Sequence, residues 1–201
     1  MNGFERRKEQ KKESIRRAAL ELFKLYGTKK VSISEIAARA GVSQVTIYNH
    51  FGSKEELVRD TVKTLLLGLI ERYRVMIEGE QPFLEKLEQI VLDKSELARQ
   101  YSGEFLQTAI SNDPEIEQFI ESIYRNEINQ RMLDFFEEGK KQGYVNRELS
   151  QEAILVYTDI FRRGVMASYD ILADSEHYER LVKELMSIYL YGVIGRAERV
   201  R

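Results

Sequence analysis

The chain has no cysteine and no tryptophan, and only two of its 201 residues are proline. The absence of cysteine excludes disulfides, thiol redox sensing and metal sites with cysteine ligands. No segment sustains the alternation of β-branched residues that is typical of strands, so we predict an all-α protein. Any metal site would depend on carboxylates and the two histidines, His50 and His177. We therefore predict no metal and no cofactor.

The chain also lacks a long hydrophobic run. Its longest one, residues 65–70, is far shorter than the ~20 residues that span a bilayer. The charged N-terminus lacks the apolar core of a signal peptide. Nucleophile-elbow, Walker and dinucleotide fingerprints are missing, so we expect no catalytic residues and no enzymatic activity. These absences favour a cytoplasmic protein that acts by binding.

Charge is distributed unevenly along the chain. The formal net charge is −2, but residues 1–60 hold 13 Lys/Arg against 8 Asp/Glu, whereas residues 61–201 hold 18 against 25. A basic N-terminal part followed by an acidic remainder is expected when one end of a protein faces phosphate. The basic cluster within residues 6–12 either contacts phosphates or forms a solvated tail, and both interpretations remain open.

Residues 31–57, VSISEIAARAGVSQVTIYNHFGSKEEL, contain the signals for three helix starts and two tight turns. Two serine–glutamate pairs have the spacing of a capping box: Ser32 with Glu35, and Ser53 with Glu56. Ser43 is a candidate N-cap between them, and Gly41 suits the left-handed residue that ends a helix. The spacing predicts a helix-turn-helix, whose second helix enters the major groove of DNA.

The outward side chains of the second short helix agree with this interpretation. Ile47 and Phe51 are four residues apart and are predicted to face the core. The remaining residues are small, polar or hydroxylated, as base edges and phosphates require: Gln44, Val45, Thr46, Tyr48, Asn49 and His50. The alternative is an ordinary helical hairpin with a polar outer face.

The motif resembles the DNA-binding domain of the tetracycline-repressor (TetR) family. The resemblance rests on IAARAGVSQVTIYNHFGSKEEL and the preceding LELFKLYGTKKVSI. It implies an N-terminal helix-turn-helix domain of three helices at residues 1–53 and a C-terminal ligand-binding and dimerisation domain at residues 54–201. About nine helices are expected in total, and the family resemblance, more than the periodicity, implies a homodimer.

Periodicity and breaker residues predict where the helices lie. The first should follow the charged residues 1–12 and end at Tyr26, a long second-domain helix should run from Lys54 to Glu78, and the run 65–70 predicts that its later half is buried. The further helices are predicted at about 83–100, 101–111, 114–142 and 150–173, with a last one after 175. Gly164 and Gly192 lie inside the last two, where a close backbone approach is one explanation.

The resemblance also assigns roles to residues. Ser32 and Ser34 open the first helix of the motif, near the DNA backbone. Gln44, Val45 and Thr46 should reach base edges, although many relatives have a smaller residue where Val45 stands, so the base read there stays open. His50 either contacts phosphate or packs under the loop. The predicted DNA-binding residues are Ser32, Ser34, Ser43, Gln44, Val45, Thr46, Tyr48, Asn49, His50 and Lys54.

The function implied by the resemblance is a transcriptional repressor released from a palindromic operator in double-stranded DNA by an unknown small-molecule effector. The alternatives are a ligand-independent regulator, an activator, and a helical protein-interaction module without DNA binding. Candidate pocket residues, each of which could equally be core, are Phe105, Phe119, Ile123, Tyr124, Tyr157, Phe161 and Tyr169. Candidate dimer-interface residues are Leu181, Leu185, Ile188 and Tyr189.

Overall fold

The computed structural model describes residues 3–100, 105, 113–168 and 177–193 of the chain. These residues form eight helices, in agreement with the predicted all-α fold. The first five are α1 (Gly3–Tyr26), α2 (Ile33–Ala40), α3 (Gln44–Phe51), α4 (Lys54–Glu78) and α5 (Phe83–Gln100). Helix α6 joins the α-helical segments Pro114–Ile123 and Asn129–Lys141 through a π-helical turn, Tyr124–Ile128. Helices α7 (Gln151–Ala167) and α8 (Tyr178–Val193) follow.

The chain divides into two compact units. The first contains the described residues of Met1–Gly68 and Glu104–Glu117, and the second those of Leu69–Gly103 and Gln118–Arg201. The assignment of residues 1–53 to DNA binding and of 54–201 to ligand binding and dimerisation concerns function, and it stays a prediction. None of the helices in the described ranges is long and apolar enough to cross a membrane.

The core of the first unit fixes the relative positions of α1, α2, α3 and the start of α4. Its fully buried side chains include Ile15 and Phe23 of α1, Ile36 of α2, Ile47 of α3 and Leu57 of α4. Burying each such side chain contributes roughly 1.5–3 kcal/mol. The inward face that periodicity predicted for α3, at Ile47 and Phe51, is therefore confirmed, and the opposite faces of α2 and α3 are left to solvent.

Local hydrogen bonds set the ends of the short helices as predicted. Ser32 forms the complete capping box with Glu35 at the start of α2, and Gly41 ends that helix with a φ of 67°. Ser43 caps α3 by accepting a hydrogen bond from the Thr46 N–H. The second predicted capping box forms only in part. The Ser53 hydroxyl accepts from the Glu56 N–H, but the Glu56 carboxylate pairs with Arg59 instead.

Two expectations about α1 and α4 are wrong. Helix α1 begins at Gly3, within the basic segment, because no proline interrupts residues 3–26 and helix-forming residues dominate them. Helix α4 is buried in its first half, at Leu57, Thr61 and Val62, whereas Leu67 in the apolar run is 48% exposed. The first half carries the core contacts because it packs within the first unit.

The second unit has its own apolar core. Phe83 lies between the rings of Phe135, at 4.6 Å, and Tyr144, at 5.8 Å, measured between ring centroids. Gly139 of α6 lies against Phe83, and a Cβ at this position would come within 2.6 Å of the Phe83 ring. The other buried members of this core are Leu87, Leu133, Phe136, Val145, Ile154, Tyr189 and Leu190.

The predicted ends of the later helices agree with the structure where it describes them. Asp113 accepts a hydrogen bond from the Glu115 N–H at the start of α6. Gly143 follows that helix with a φ of 81°, and Ser150 caps α7. The helix predicted at 101–111 lies outside the described residues apart from Phe105, as do the predicted end of α7 near residue 173 and the cap near residue 175.

Candidate DNA-contacting surface and ligand cavity

Helix α3 presents an outer face of four neighbouring side chains. Gln44, Val45, Tyr48 and Asn49 are exposed, and the exposed fraction is 66% for Val45 and 48% for Tyr48. Ile47 on the opposite side has no exposed surface. A helix of eight residues would not form stably by itself, so α3 takes its shape from its cap and from the core beneath it. Its outer face is consequently a rigid, uncovered surface.

Of the serines and the threonine predicted at this surface, Ser32 and Ser43 are helix caps, and Ser34 and Thr46 are their hydrogen-bond partners. The Ser43 hydroxyl lies 2.9 Å from the Thr46 hydroxyl and 3.1 Å from the Thr46 nitrogen. The Ser32 hydroxyl lies 2.9 Å from that of Ser34 and 2.6 Å from the Glu35 carboxylate. These hydrogen bonds hold the hydroxyls in fixed positions, and Ser32 is exposed whereas Thr46 is half-buried.

His50 and Lys54 differ from the exposed residues of this surface. The His50 ring is partly buried, its Nδ1 is buried without a hydrogen-bond partner in the described part of the chain, and its pKa is lowered by burial and by Lys12, Lys8 and Lys11. The geometry therefore agrees with packing of His50 beneath α1. Lys54, in the first turn of α4, donates a hydrogen bond from its Nζ to the backbone carbonyl of Lys29 at 3.3 Å.

A basic groove borders α3. We use this name for the concave surface lined on one side by Arg7, Lys8 and Lys11 of α1 and on the other by Asn49 and His50. All three cationic side chains are exposed. The groove concentrates positive charge beside α3, which is the electrostatic footprint of phosphate binding. The basic cluster of residues 6–12 is therefore helical, and part of it forms one wall of this groove.

An ion pair holds α1 in place behind this surface. The Arg16 guanidinium donates to both carboxylate oxygens of Asp60 in α4, at 3.0 and 3.1 Å from its terminal nitrogen. The exposed fraction of the Arg16 side chain is only 14%. Hydrogen bonding to Asp60 and Glu9 raises the pKa of Arg16 despite the opposing effect of burial. A bidentate, partly buried pair of this kind fixes geometry as well as contributing energy.

The second unit contains an apolar cavity of about 190 Å³. For comparison, an apolar cavity of about 150 Å³ is large enough to bind benzene. Helices α4, α5, α6 and α8 supply its walls. The lining residues are Ile70, Tyr73, Arg74, Ile77, Leu87, Ile90, Lys94, Tyr124, Ile128, Arg131, Met132, Phe135, Phe136, Met186, Tyr189 and Leu190.

Three cationic side chains line the cavity, and two of them have carboxylate partners. Arg74 lies 2.5 Å from both Glu71 and Glu78, and Arg131 also pairs with Glu78. The third cation, Lys94, places its Nζ over the ring of Tyr73, 4.4 Å from the centroid. Burial lowers the pKa of Lys94 to about 8. The Tyr73 hydroxyl is buried, and no described residue forms a hydrogen bond with it.

The predicted pocket residues occupy different places. Tyr124 lines the cavity. Tyr157 and Phe161 of α7 stack on Tyr189, with centroids 5.3 and 4.6 Å away, and so support its wall from behind. Phe119 and Ile123 belong to the same unit but are not among the lining residues.

Two other candidates fall elsewhere. Phe105 is buried in the first unit, where its ring stacks on Phe23 at 6.2 Å, and Tyr169 lies outside the described residues. Sequence reasoning missed Tyr73 and Lys94. A lysine between Asp93 and Ser95 on a helix is an ordinary pattern, so only packing distinguishes it.

The predicted interface residues also occupy different places, some in the core and some at the surface. Tyr189 is only 7% exposed, and its hydroxyl lies 2.5 Å from that of Thr158, so it belongs to the core of its own chain. Ile188 beside it is 66% exposed, and Leu181 and Leu185 are partly exposed. An ideal Cβ at Gly164 of α7 would have no described atom within 4 Å, so no close approach within the described part of this chain explains that glycine.

Comparison with known proteins confirms the family resemblance of the helix-turn-helix segment. Residues 15–61 match the profile described as "Bacterial regulatory proteins, tetR family". The chain is 25% identical over 142 residues to the HTH-type transcriptional repressor KstR2 of Mycobacterium tuberculosis, covering 68% of this chain and 70% of the relative. The matched segment of the profile contains α2, α3 and the whole turn between them.

Two solved structures share the fold. The transcriptional regulator FadR from Bacillus subtilis, in complex with stearoyl-CoA, has a TM-score of 0.65 and 20% identity, covering 90% of this chain and 98% of that one. Reduced NemR from E. coli has a TM-score of 0.69 and 13% identity, covering 94% and 99%. The helices of this chain are therefore arranged as in these solved structures.

Proposed function

Because the chain belongs to the TetR family of bacterial regulatory proteins, we propose that this DNA-binding transcriptional regulator is a repressor that a small molecule releases from its operator. The observation that carries DNA binding is the exposed face of α3, built from Gln44, Val45, Tyr48 and Asn49. The family acts by binding, and we assign the same mode of action to this chain, in the cytoplasm where its DNA lies.

Base recognition would come from the first turn of α3. The amide of Gln44 can bond the major-groove edge of adenine, and the methyl groups of Val45 can lie against a thymine methyl. Tyr48, one turn further, has a phenol that suits a phosphate oxygen. The caps at Ser43 and Ser32 present N–H groups and hydroxyls near the same face. We propose these residues as the sequence-reading part of the surface.

Non-specific affinity would come from the basic groove and from Lys54. Lys54 lies in the first turn of α4, where the helix dipole also favours an anion. Its hydrogen bond to the Lys29 carbonyl is long and exposed, so exchange for a phosphate oxygen costs little. Each phosphate contact releases condensed counterions, which makes this part of the affinity strongly dependent on salt.

We further propose that the regulator is a homodimer and that its operator is palindromic. One short recognition helix reads too few base pairs to compete with non-specific sites, and two-fold symmetry is the common solution. Apolar side chains on two helices of the second unit support this proposal: Val156 and Ile160 of α7 are 53% and 63% exposed, and Ile188 of α8 is 66% exposed. Leu181 and Leu185 extend the same candidate interface.

Ligand control would act through α4. This one helix contributes Leu57 and Val62 to the core of the first unit and Ile70, Tyr73 and Ile77 to the lining of the cavity. A molecule in the cavity changes DNA affinity only if it binds the DNA-competent and the released conformations with different affinities. A cavity with walls from four helices offers such a difference whenever those helices shift.

The experiment is fluorescence anisotropy of the full-length protein with labelled DNA from upstream of its own gene. We expect tight binding that weakens steeply with salt, and release by one compound of a small-molecule library. Tyr48→Ala should weaken binding at least tenfold, whereas Tyr26→Ala, an exposed tyrosine on α1, should not. Binding that Tyr48→Ala leaves unchanged would remove the α3 face from the DNA contacts.

Three other functions predict different results. A ligand-independent regulator would bind the operator and no compound would release it, and an activator would bind the operator but raise transcription in a reporter assay. A helical protein-interaction module would have no salt-dependent affinity for any DNA. The basic groove beside an exposed α3 favours the DNA-binding functions over the last one.

A further inference from the structure

The chemistry of the cavity indicates what kind of molecule it takes. Its walls are almost wholly aliphatic and aromatic, and its volume is about 190 Å³, so the body of the ligand must be apolar. Burying that body stabilises the complex by about 25 cal/mol for each Å² removed from water. The polar groups in the walls then decide what else the ligand carries.

The charges of the cavity are balanced except at one position. Glu78 bonds to both Arg74 and Arg131, and Glu71 adds a second carboxylate to Arg74. Lys94 makes its contact with the Tyr73 ring instead, and no carboxylate of the described residues forms an ion pair with it. Lys94 is partly buried, and a cation withdrawn from water without a counter-ion is unfavourable, so an anionic ligand would supply that counter-ion.

A hydrogen-bond donor lies beside this cation. The Tyr73 hydroxyl is buried and has no partner in the described part of the chain, although buried hydroxyls are normally hydrogen-bonded. Lys94 and Tyr73 come from α5 and α4, and their side chains meet at the wall of the cavity. Together they offer an ammonium group and a phenol to an oxyanion.

The backbone is also irregular at this site. The π-helical turn Tyr124–Ile128 interrupts α6, and both of its end residues line the cavity. Such turns insert one extra residue into a helix and occur frequently at functional sites. The π-helical turn therefore forms part of the wall of the cavity.

We propose that the effector is an amphipathic anion, with an apolar body in the cavity and a carboxylate or phosphate oxyanion bound by Lys94 Nζ and Tyr73 Oη. This inference rests on the ligand-controlled function proposed above and names the chemical class of its ligand. Arg74 and Arg131 keep their carboxylate partners in the complex, and these ion pairs hold the wall of the cavity in place.

The test uses isothermal titration calorimetry of the full-length protein at pH 7 with three probes of one chain length, each below its micellar concentration. The probes are decanoate, decyl phosphate and the neutral 1-decanol. We expect decanoate or decyl phosphate to bind at least tenfold more tightly than 1-decanol. The tighter of the two anions distinguishes a carboxylate from a phosphate ligand, and either result supports the proposal.

Variants then assign the preference to the two residues. Lys94→Met keeps an unbranched side chain, so it should lower the affinity for the anion at least tenfold and leave that for 1-decanol unchanged. Tyr73→Phe removes only the hydroxyl and should lower anion affinity several-fold. Lys141→Met, at an exposed position on α6, is the matched control and should change neither affinity.

The outcomes separate this inference from the proposed function. Equal binding of anion and alcohol, or an anion preference that survives Lys94→Met, would overturn the anionic class while leaving a ligand-binding cavity in place. Binding of none of the three probes would overturn the inference, and a library compound that still releases the operator would show that ligand control stands without it. Operator binding itself is measured separately and depends on neither result.

Discussion

Replacing Gly139 with alanine should destabilise the second unit, although alanine is the better helix former. An added Cβ would lie 2.6 Å from both Phe83 Cζ and Val145 Cγ2, whereas carbon atoms in contact are about 3.5–4.0 Å apart. Phe83 is fully buried and is stacked between two rings, so it has no room to move away. Overpacking of this kind costs about 1–3 kcal/mol.

The matched control is Gly68→Ala. Gly68 lies inside α4 and nothing in the described part of the chain is within 4 Å of its ideal Cβ position, so the substitution should stabilise the chain by about 1 kcal/mol through helix propensity alone. Gly139→Ala gains the same propensity and adds the overpacking cost. The difference between the two variants therefore isolates the clash at about 1–3 kcal/mol.

Thermal unfolding followed by circular dichroism at 222 nm measures this difference. In a chain of this size, 1 kcal/mol corresponds to about 2–4 °C in the melting temperature. We expect Gly68→Ala to melt above the parent protein and Gly139→Ala to melt at least about 2 °C below Gly68→Ala. Equal melting temperatures for the two variants would refute the claim that Phe83 and Val145 leave no space for a methyl group at residue 139.

Three further predictions concern the proposed sites. Lys54→Ala should weaken specific and non-specific DNA binding alike and reduce the salt slope by about one unit for each phosphate that is no longer neutralised; the exposed Lys30→Ala is the control, and an unchanged slope contradicts the phosphate role. Ile188→Glu should give monomers in sedimentation velocity while the similarly accessible Val75→Glu does not; a dimer that survives the change would move the interface elsewhere. Affinity for an anionic probe should fall as the pH rises through about 8, because the Lys94 ammonium, whose pKa burial lowers, then loses its proton, and the Lys94→Met variant should show a flat profile.

The sign of the pH effect follows from the groups that face the cavity. A carboxylate probe stays ionised throughout this range, and hydrogen bonding to Glu71 and Glu78 raises the pKa of Arg74, so its guanidinium stays charged. The pKa values of Tyr73 and Tyr124 are raised by burial, and that of Tyr189 is raised to about 12. Lys94 is thus the lining residue whose charge changes near pH 8. An affinity that is constant between pH 7 and about 9.5 would mean that Lys94 does not face the anion.

The helix-turn-helix could be predicted from the sequence because its determinants are local. A cap and its partner lie within three residues of each other, as with Ser32 and Glu35, and a left-handed glycine such as Gly41 is needed wherever the chain must reverse. The same reasoning failed at Glu56, since a carboxylate at that position can choose between the Ser53 backbone and Arg59. The spacing of residues in the sequence shows which capping hydrogen bonds are possible, and the packing of the folded chain decides which of them form.

The cavity could not be predicted because it is a property of packing between helices far apart in sequence. Tyr73 and Lys94 look like ordinary helix residues, and only the meeting of α4 with α5 makes them a polar pair in an apolar wall. Aromatic residues singled out by type, such as Phe105 and Tyr157, serve as core or as support. For the same reason Gly139, whose close neighbours come from α5 and the loop after α6, attracted no attention in the sequence.

The two proposed binding sites should differ in their response to ionic strength, and one experiment can compare them. The cations of the basic groove are exposed, so the roughly 8 Å screening length of physiological salt weakens their attraction for phosphate. Lys94 is partly buried in the second unit, where screening by salt is weaker. Raising the salt concentration should therefore weaken the affinity for operator DNA and leave the affinity for an anionic effector nearly constant. Effector affinity that fell as steeply as DNA affinity would place the anion at the exposed basic groove, and competition with DNA would then replace conformational control as the mechanism of release.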